Sequence, residues 1–125
     1  MRMWADDGVL FVGVCDALVL CFFEKQRDHP SEPWRERQMR KVEGGLQALA
    51  SWVDQSSTGK FLVGDSLTLA DVAAGSVLGY MAVRWPDHHW MAKHPQLKAY
   101  WENLDTRESF ASTRPSPQKI SDKIV

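Results

Sequence analysis

Two thiols, three nearby imidazoles and a threonine–aspartate pair are the groups whose types and spacing could do chemistry. Cys15 and Cys21 stand six residues apart inside the apolar run Val9 to Phe23. On a helix that spacing points them to different faces, which disfavours an internal disulfide and suits a reducing compartment. Desolvation in such a run raises a thiol pKa, so little thiolate is available for nucleophilic work, and both are expected to be buried structural residues. His88, His89 and His94 lack an acid or cysteine at ligand spacing and read as a solvated loop, with no metal site. Asp71 is the single charge between Leu69 and Val83. A lone carboxylate at the end of an apolar helix could serve as a general acid or base, but capping accounts for it better. Thr68 is placed to accept from the Asp71 N–H, and the Asp71 carboxylate to accept from the Thr68 N–H, closing a capping box with Leu67 and Val72 at the hydrophobic-staple positions. The pair is therefore structural, and no catalytic residue is expected.

The elements that must carry these groups are helical throughout. A first helix runs from about Met3 to Gln26, almost wholly apolar in its middle, and His29-Pro30-Ser31-Glu32-Pro33 breaks the pattern. In the second, Met39, Val42, Leu46, Leu49 and Trp52 or Val53 recur at steps of three and four, with Arg35, Glu36, Arg37, Arg40, Lys41, Glu43 and Gln47 on the other face. Gly44-Gly45 weakens it by roughly 1 kcal/mol per glycine, tolerable where another helix crosses closely. The near-uncharged stretch 69–83 reads as the central helix, and Gly75 and Gly79 within it as a site of close packing. A last clear helix opens at His94-Pro95, with Leu97, Tyr100, Trp101 and Leu104 turned inward, and a short helical turn follows Arg107. Most of the six tryptophans are expected in the core. No segment alternates as a strand does. The fold class is all-α, with about five helices in one domain over 1–115 and a mobile polar tail over 116–125.

Composition narrows the partners. Fifteen Lys+Arg oppose sixteen Asp+Glu in 125 residues, a net charge of −1. That balance gives no electrostatic footprint for nucleic acid or an anionic membrane. Val9 to Phe23 would reach roughly 22 Å as a helix, short of a hydrocarbon core of ~30 Å, and follows acids rather than a basic leader. A cytoplasmic location is the expectation.

The segment Phe61-Leu62-Val63-Gly64-Asp65-Ser66-Leu67-Thr68-Leu69-Ala70-Asp71 resembles the motif (F/Y)-x-x-G-x-x-(S/T/I)-(S/T)-x-A-D that opens the central helix of the glutathione S-transferase C-terminal domain. The similarity continues through Leu78-Gly79-Tyr80-Met81-Ala82-Val83-Arg84-Trp85-Pro86-Asp87, Trp90, His94-Pro95-Gln96-Leu97, Tyr100-Trp101 and Arg107 to Pro115, the pattern of a bacterial and fungal branch. The resemblance implies the C-terminal helical bundle of that family, which forms the wall of the electrophile pocket and part of a homodimer interface. It implies glutathione and a small electrophile as the parent enzyme's substrates, with no resident cofactor.

Two departures bear on activity. The family's thioredoxin-like domain, which activates the glutathione thiol, precedes the region matched, so these 125 residues alone are expected to be inactive. Trp4-Ala5-Asp6-Asp7-Gly8-Val9 resembles the family's (A/N)-D-G-(I/V), which assigns to Asp7 a contact across the dimer with the γ-glutamyl amine of glutathione. Relatives place the next acid four residues on, whereas Asp16 follows Asp7 by nine. The five extra residues turn one acid by about 140° relative to the other. The alternative is a non-catalytic interaction module of the same fold, as in translation factors or synthetase complexes.

Overall fold

A computed structural model describes residues 4–117, with side chains from Phe11 onward. Six helices follow one another among the described residues: α1 (Trp4–Lys25), α2 (Glu32–Gln55), α3 (Leu69–Arg84), α4 (Trp90–Lys93), α5 (Pro95–Asp105) and α6 (Glu108–Ala111), with no strand. The all-α expectation holds. The count exceeds five because α4, a single turn between two loops, carries no apolar period of its own. Residues 118–125 of the expected polar tail lie outside the described residues. The chain divides into two compact units, one of residues 1–45 with 117–125, the other Leu46–Ser116, the boundary falling within α2.

In the first unit α1 buries Phe11, Val14, Ala17, Leu18 and Cys21, and α2 buries Gln38 and Val42. The α1–α2 connection is held by Glu24. The residue is only 8% exposed, and its carboxylate accepts from the Ser31 N–H at 2.9 Å and from Arg27 Nη1 at 3.1 Å. Proline at Pro33 does not delay α2, because the first turn of a helix needs no N–H there. Helix α2 therefore begins at Glu32, inside the segment expected to break the pattern. Glu32 also pairs with Arg35 at 2.7 Å. Gly44 is exposed with nothing within 4 Å of a Cβ built on it, so no close crossing explains that glycine.

In the second unit Leu46, Leu49, Ala50 and Val53 of α2 are buried, as are Ala74, Val77, Leu78 and Met81 of α3 and Leu97, Tyr100 and Leu104 of α5. The stripe predicted for α2 is buried at Val42, Leu46, Leu49 and Val53, with Met39 half-buried at its start. Helix α3, however, is not covered all round, since Leu69 is 66% and Val72 41% exposed. Val72 consequently forms no buried staple. The tryptophan expectation also fails: of those with described side chains only Trp90 is buried, while Trp34, Trp52, Trp85 and Trp101 are half-buried, as suits large rings that lie across surfaces. Trp101 meets Trp90 edge-on, ring centroids 6.1 Å apart. Gly75 is small for a definite reason: a Cβ there would stand 2.5 Å from Phe110 Cε1, so the close packing is with a ring from α6.

Burial makes an asymmetric prediction for the two ends of α3's apolar surface. Leu78→Ala is expected to lower unfolding free energy by about 2–5 kcal/mol, through lost transfer energy and the cavity left behind. Leu69→Ala is expected to fall within about 0.5 kcal/mol of the parent. Urea unfolding followed by circular dichroism distinguishes the two.

Candidate functional site

The groups singled out by sequence are distributed along the chain rather than gathered in one cleft. The most organised of them is Asp71. Its side chain is fully buried at the start of α3. Oδ1 accepts from the Leu62 N–H at 2.9 Å and from the Tyr100 hydroxyl at 2.7 Å, and Oδ2 accepts from the Thr68 N–H at 3.0 Å. Three donors from three places in the sequence thus satisfy one carboxylate. The capping box between Thr68 and Asp71 is present, but its halves are unequal. The Asp71 N–H bonds the Thr68 carbonyl at 3.1 Å, and the Thr68 hydroxyl lies 3.4 Å from Oδ2, so the carboxylate carries most of the cap. Burial, then the bond to Asp71, push the Tyr100 hydroxyl well above its ordinary pKa. A phenol so committed cannot ionise to serve as a base at neutral pH, nor release its proton to another partner. The capping box that the spacing predicted is thus present, within a larger set of bonds to the same carboxylate. What the spacing did not give is Tyr100. The signal was a tyrosine on the buried stripe of α5, whose hydroxyl needs a partner inside the core.

The thiols are equally unsuited to nucleophilic work. Burial raises the Cys15 thiol, with Asp16 adding to the shift. Burial also raises Cys21, assisted by Glu24 and opposed by Arg35. Both cysteines are free, Cys21 buried and Cys15 only half-buried, and Cys21 Sγ donates weakly to the Arg35 carbonyl at 3.7 Å. The histidines separate. His89 is exposed, whereas His94 is buried at the junction of α4 and α5, against the expectation of a solvated loop, because it caps α5 by position. His88 Nδ1 accepts from the Trp90 N–H at 3.1 Å. Among the described residues no cluster of histidine, cysteine and acid could hold a metal. A cleft of about 300 Å³ at the end of α3 is lined in part by Trp85, Pro86, His88 and Trp90. A wider crevice of about 520 Å³ runs beside the α2–α3 loop, where Gln96 Nε2 donates to Asp54 at 3.1 Å. Asp7 falls in the first turns of α1, but its side chain lies outside the described residues.

A family profile described as glutathione S-transferase, C-terminal domain, matches residues 32–102, more than half of the chain. This chain belongs to the glutathione S-transferase family. It is 31% identical over 105 residues to the uncharacterized GST-like protein YibF of Escherichia coli K12, covering 82% of this chain and 50% of the relative. Among solved structures it is similar to a glutathione S-transferase of Methylobacterium radiotolerans in complex with glutathione sulfonate, with 46% identity, a TM-score of 0.87, and coverage of 97% of this chain and 57% of the other. It is also similar to a glutathione S-transferase of Methylobacillus flagellatus with glutathione bound, with 30% identity and a TM-score of 0.81, covering 89% of this chain and 55% of that one. The chain therefore spans about half the length of the transferases it matches. The matched half is the helical C-terminal domain, and Asp71 and Tyr100 lie within the profile's limits.

Two measurements check the chemistry assigned here. Asp71→Ala strands the Leu62 and Thr68 N–H groups and the Tyr100 hydroxyl, and is expected to cost about 3–5 kcal/mol. Tyr100→Phe is expected to cost about 1–2 kcal/mol alone and much less on top of Asp71→Ala, a coupling that a double-mutant cycle in urea would read. Since both thiol pKa values are raised, thiolate is scarce at pH 7 and grows only above the ordinary thiol range. Alkylation of the native chain by iodoacetamide should be slower than that of the urea-unfolded chain at pH 8, with the gap narrowing as pH rises.

Proposed function

We propose that this domain is the helical half of an enzyme that conjugates glutathione to small electrophiles, and that it supplies the wall of the electrophile pocket. The similarity to the Methylobacterium radiotolerans transferase, which runs along nearly the whole chain and whose structure holds a glutathione analogue, carries the reading. Conjugation requires a lowered thiol pKa on glutathione and an oriented thiolate. The phenol of Tyr100 and the thiols of Cys15 and Cys21 are all shifted the wrong way for that task. Thiol activation on this reading comes from a thioredoxin-like domain, and the helical domain acts on the electrophile.

The proposal extends to the subunit arrangement. Val12, Val19, Leu20 and Phe23 are exposed along one stripe of α1, with Asp16 among them. Four large apolar side chains on one helix face favour cover by protein, and a homodimer interface on α1 supplies it. Asp7 stands about two and a half turns ahead of Asp16, on the other side of α1. By the family resemblance it is the acid that reaches the γ-glutamyl amine of glutathione in the partner subunit, as a charge-assisted hydrogen bond. The free thiols favour a cytoplasmic setting. No described helix is long and apolar enough to cross a membrane.

A conjugation assay with glutathione and a chlorinated dinitrobenzene tests the reading. Residues 1–125 alone should turn over no faster than the blank. A chimera that replaces the matched 57% of the Methylobacterium radiotolerans transferase with this chain should conjugate, and Asp7→Ala in that chimera should raise KM for glutathione several-fold while leaving KM for the electrophile in place. Turnover by the chain alone, or a folded chimera that binds glutathione yet never conjugates, would contradict the proposal.

A further inference from the structure

Gly75 and Gly79 stand four residues apart in α3 and so share one face, a turn apart. A Cβ at Gly75 would meet Phe110 Cε1 at 2.5 Å and Leu104 Cδ1 at 3.2 Å, while one at Gly79 would meet Trp101 Nε1 at 3.8 Å and Pro115 Cδ at 3.9 Å. Phe110 and Pro115 therefore lie along a single trough that the two missing side chains leave open. The chain between them, Ala111 to Arg114, is exposed. Backbone bonds of this segment close on themselves: the Phe110 and Ala111 N–H groups bond the Arg107 carbonyl, Ser112 bonds Glu108 and Thr113 bonds Phe110. The Thr113 hydroxyl donates to the Ser109 carbonyl. Beyond them Arg114 reaches back to α5 and grips Asp105 with both ends of its fork, Nε to Oδ1 at 3.0 Å and Nη2 to Oδ2 at 2.6 Å. At the near end, the Arg107 guanidinium lies over the Phe61 ring, 5.4 Å from its centroid.

This is the build of a strap. One end is pinned at Arg107, one ring is plugged beside Gly75, and the far end is latched by an ion pair. The Arg114 side chain is 61% exposed against 22% for Asp105, so solvent screens the pair, and a single exposed turn keeps its own backbone bonds only while it is packed on α3. We propose that Glu108–Ser116 opens and closes on α3 as a local unit hinged at Thr106–Arg107, with α3 and α5 remaining folded. Opening uncovers the Gly75–Gly79 trough and the indole edge of Trp101. The Arg114–Asp105 latch sets how often it opens.

Hydrogen exchange on the 125-residue chain tests this, by comparing the amides of Phe110 to Thr113 with those of Tyr100 to Leu104 in α5. The strap amides should exchange at least roughly tenfold faster than the α5 amides. Arg114→Ala should speed the strap a further two- to fivefold or so, with α5 unchanged. Gly75→Ala, which evicts the Phe110 ring, should speed it more. If that variant does not fold, Phe110→Ala removes the same plug without adding an atom. Exchange of both segments at one rate, or an Arg114→Ala effect that is absent or equal in both, overturns the proposal.

Discussion

The Leu46–Ser116 unit depends on one buried carboxylate. Asp71 sits at the first turn of α3, and its two oxygens take hydrogens from the Leu62 N–H, the Thr68 N–H and the Tyr100 hydroxyl. A buried carboxylate without partners would be strongly destabilising, and each of these donors would be costly to bury alone. The four groups are thus acceptable only together. That condition fixes three things at once: where the 61–68 loop turns, where α3 begins, and how α5 is rotated about its axis. Tyr100 can reach Oδ1 only if Leu97 and Leu104 lie on the same inward stripe, and both are fully buried.

The same economy explains why little in this domain is chemically available. Its acidic, phenolic and thiol groups in buried positions are occupied with structure: Asp71 with the loop and α5, Glu24 with the α1–α2 connection, Tyr100 with Asp71. Burial moves both thiols away from reactivity. On the proposed function, such a domain walls the electrophile pocket and leaves thiol activation to a thioredoxin-like domain. The chain matches the family's C-terminal domain, and two of the solved transferases it resembles hold glutathione or its sulfonate.

Most of the fold was legible in the sequence because its signals were local. The period of Val42, Leu46, Leu49 and Val53 gave α2 its buried face, and Thr68 with Asp71 gave α3 its start within a residue. Readings failed where the cause was tertiary. Tyr100 was recognised as inward, but its bond to Asp71 joins residues 29 apart and has no spacing rule. Glu24 carried no signal of its own in the sequence, and its burial comes from the turn at Ser31, whose N–H folds back onto the carboxylate. Gly75 was read as a site of close packing, and what spacing could not name is the neighbours, the Phe110 ring of α6 and Leu104 of α5. The tryptophans were over-assigned to the core because size, not only hydrophobicity, governs whether a ring can be fully enclosed.

Through-hydrogen-bond scalar couplings in a uniformly labelled sample would test the Asp71 node most directly. The structure predicts couplings from the Leu62 and Thr68 backbone nitrogens to the Asp71 side-chain carboxyl carbon, with a Tyr100 hydroxyl proton slow enough in exchange to be observed. Absent couplings, together with a Tyr100 hydroxyl exchanging freely with water, would contradict it.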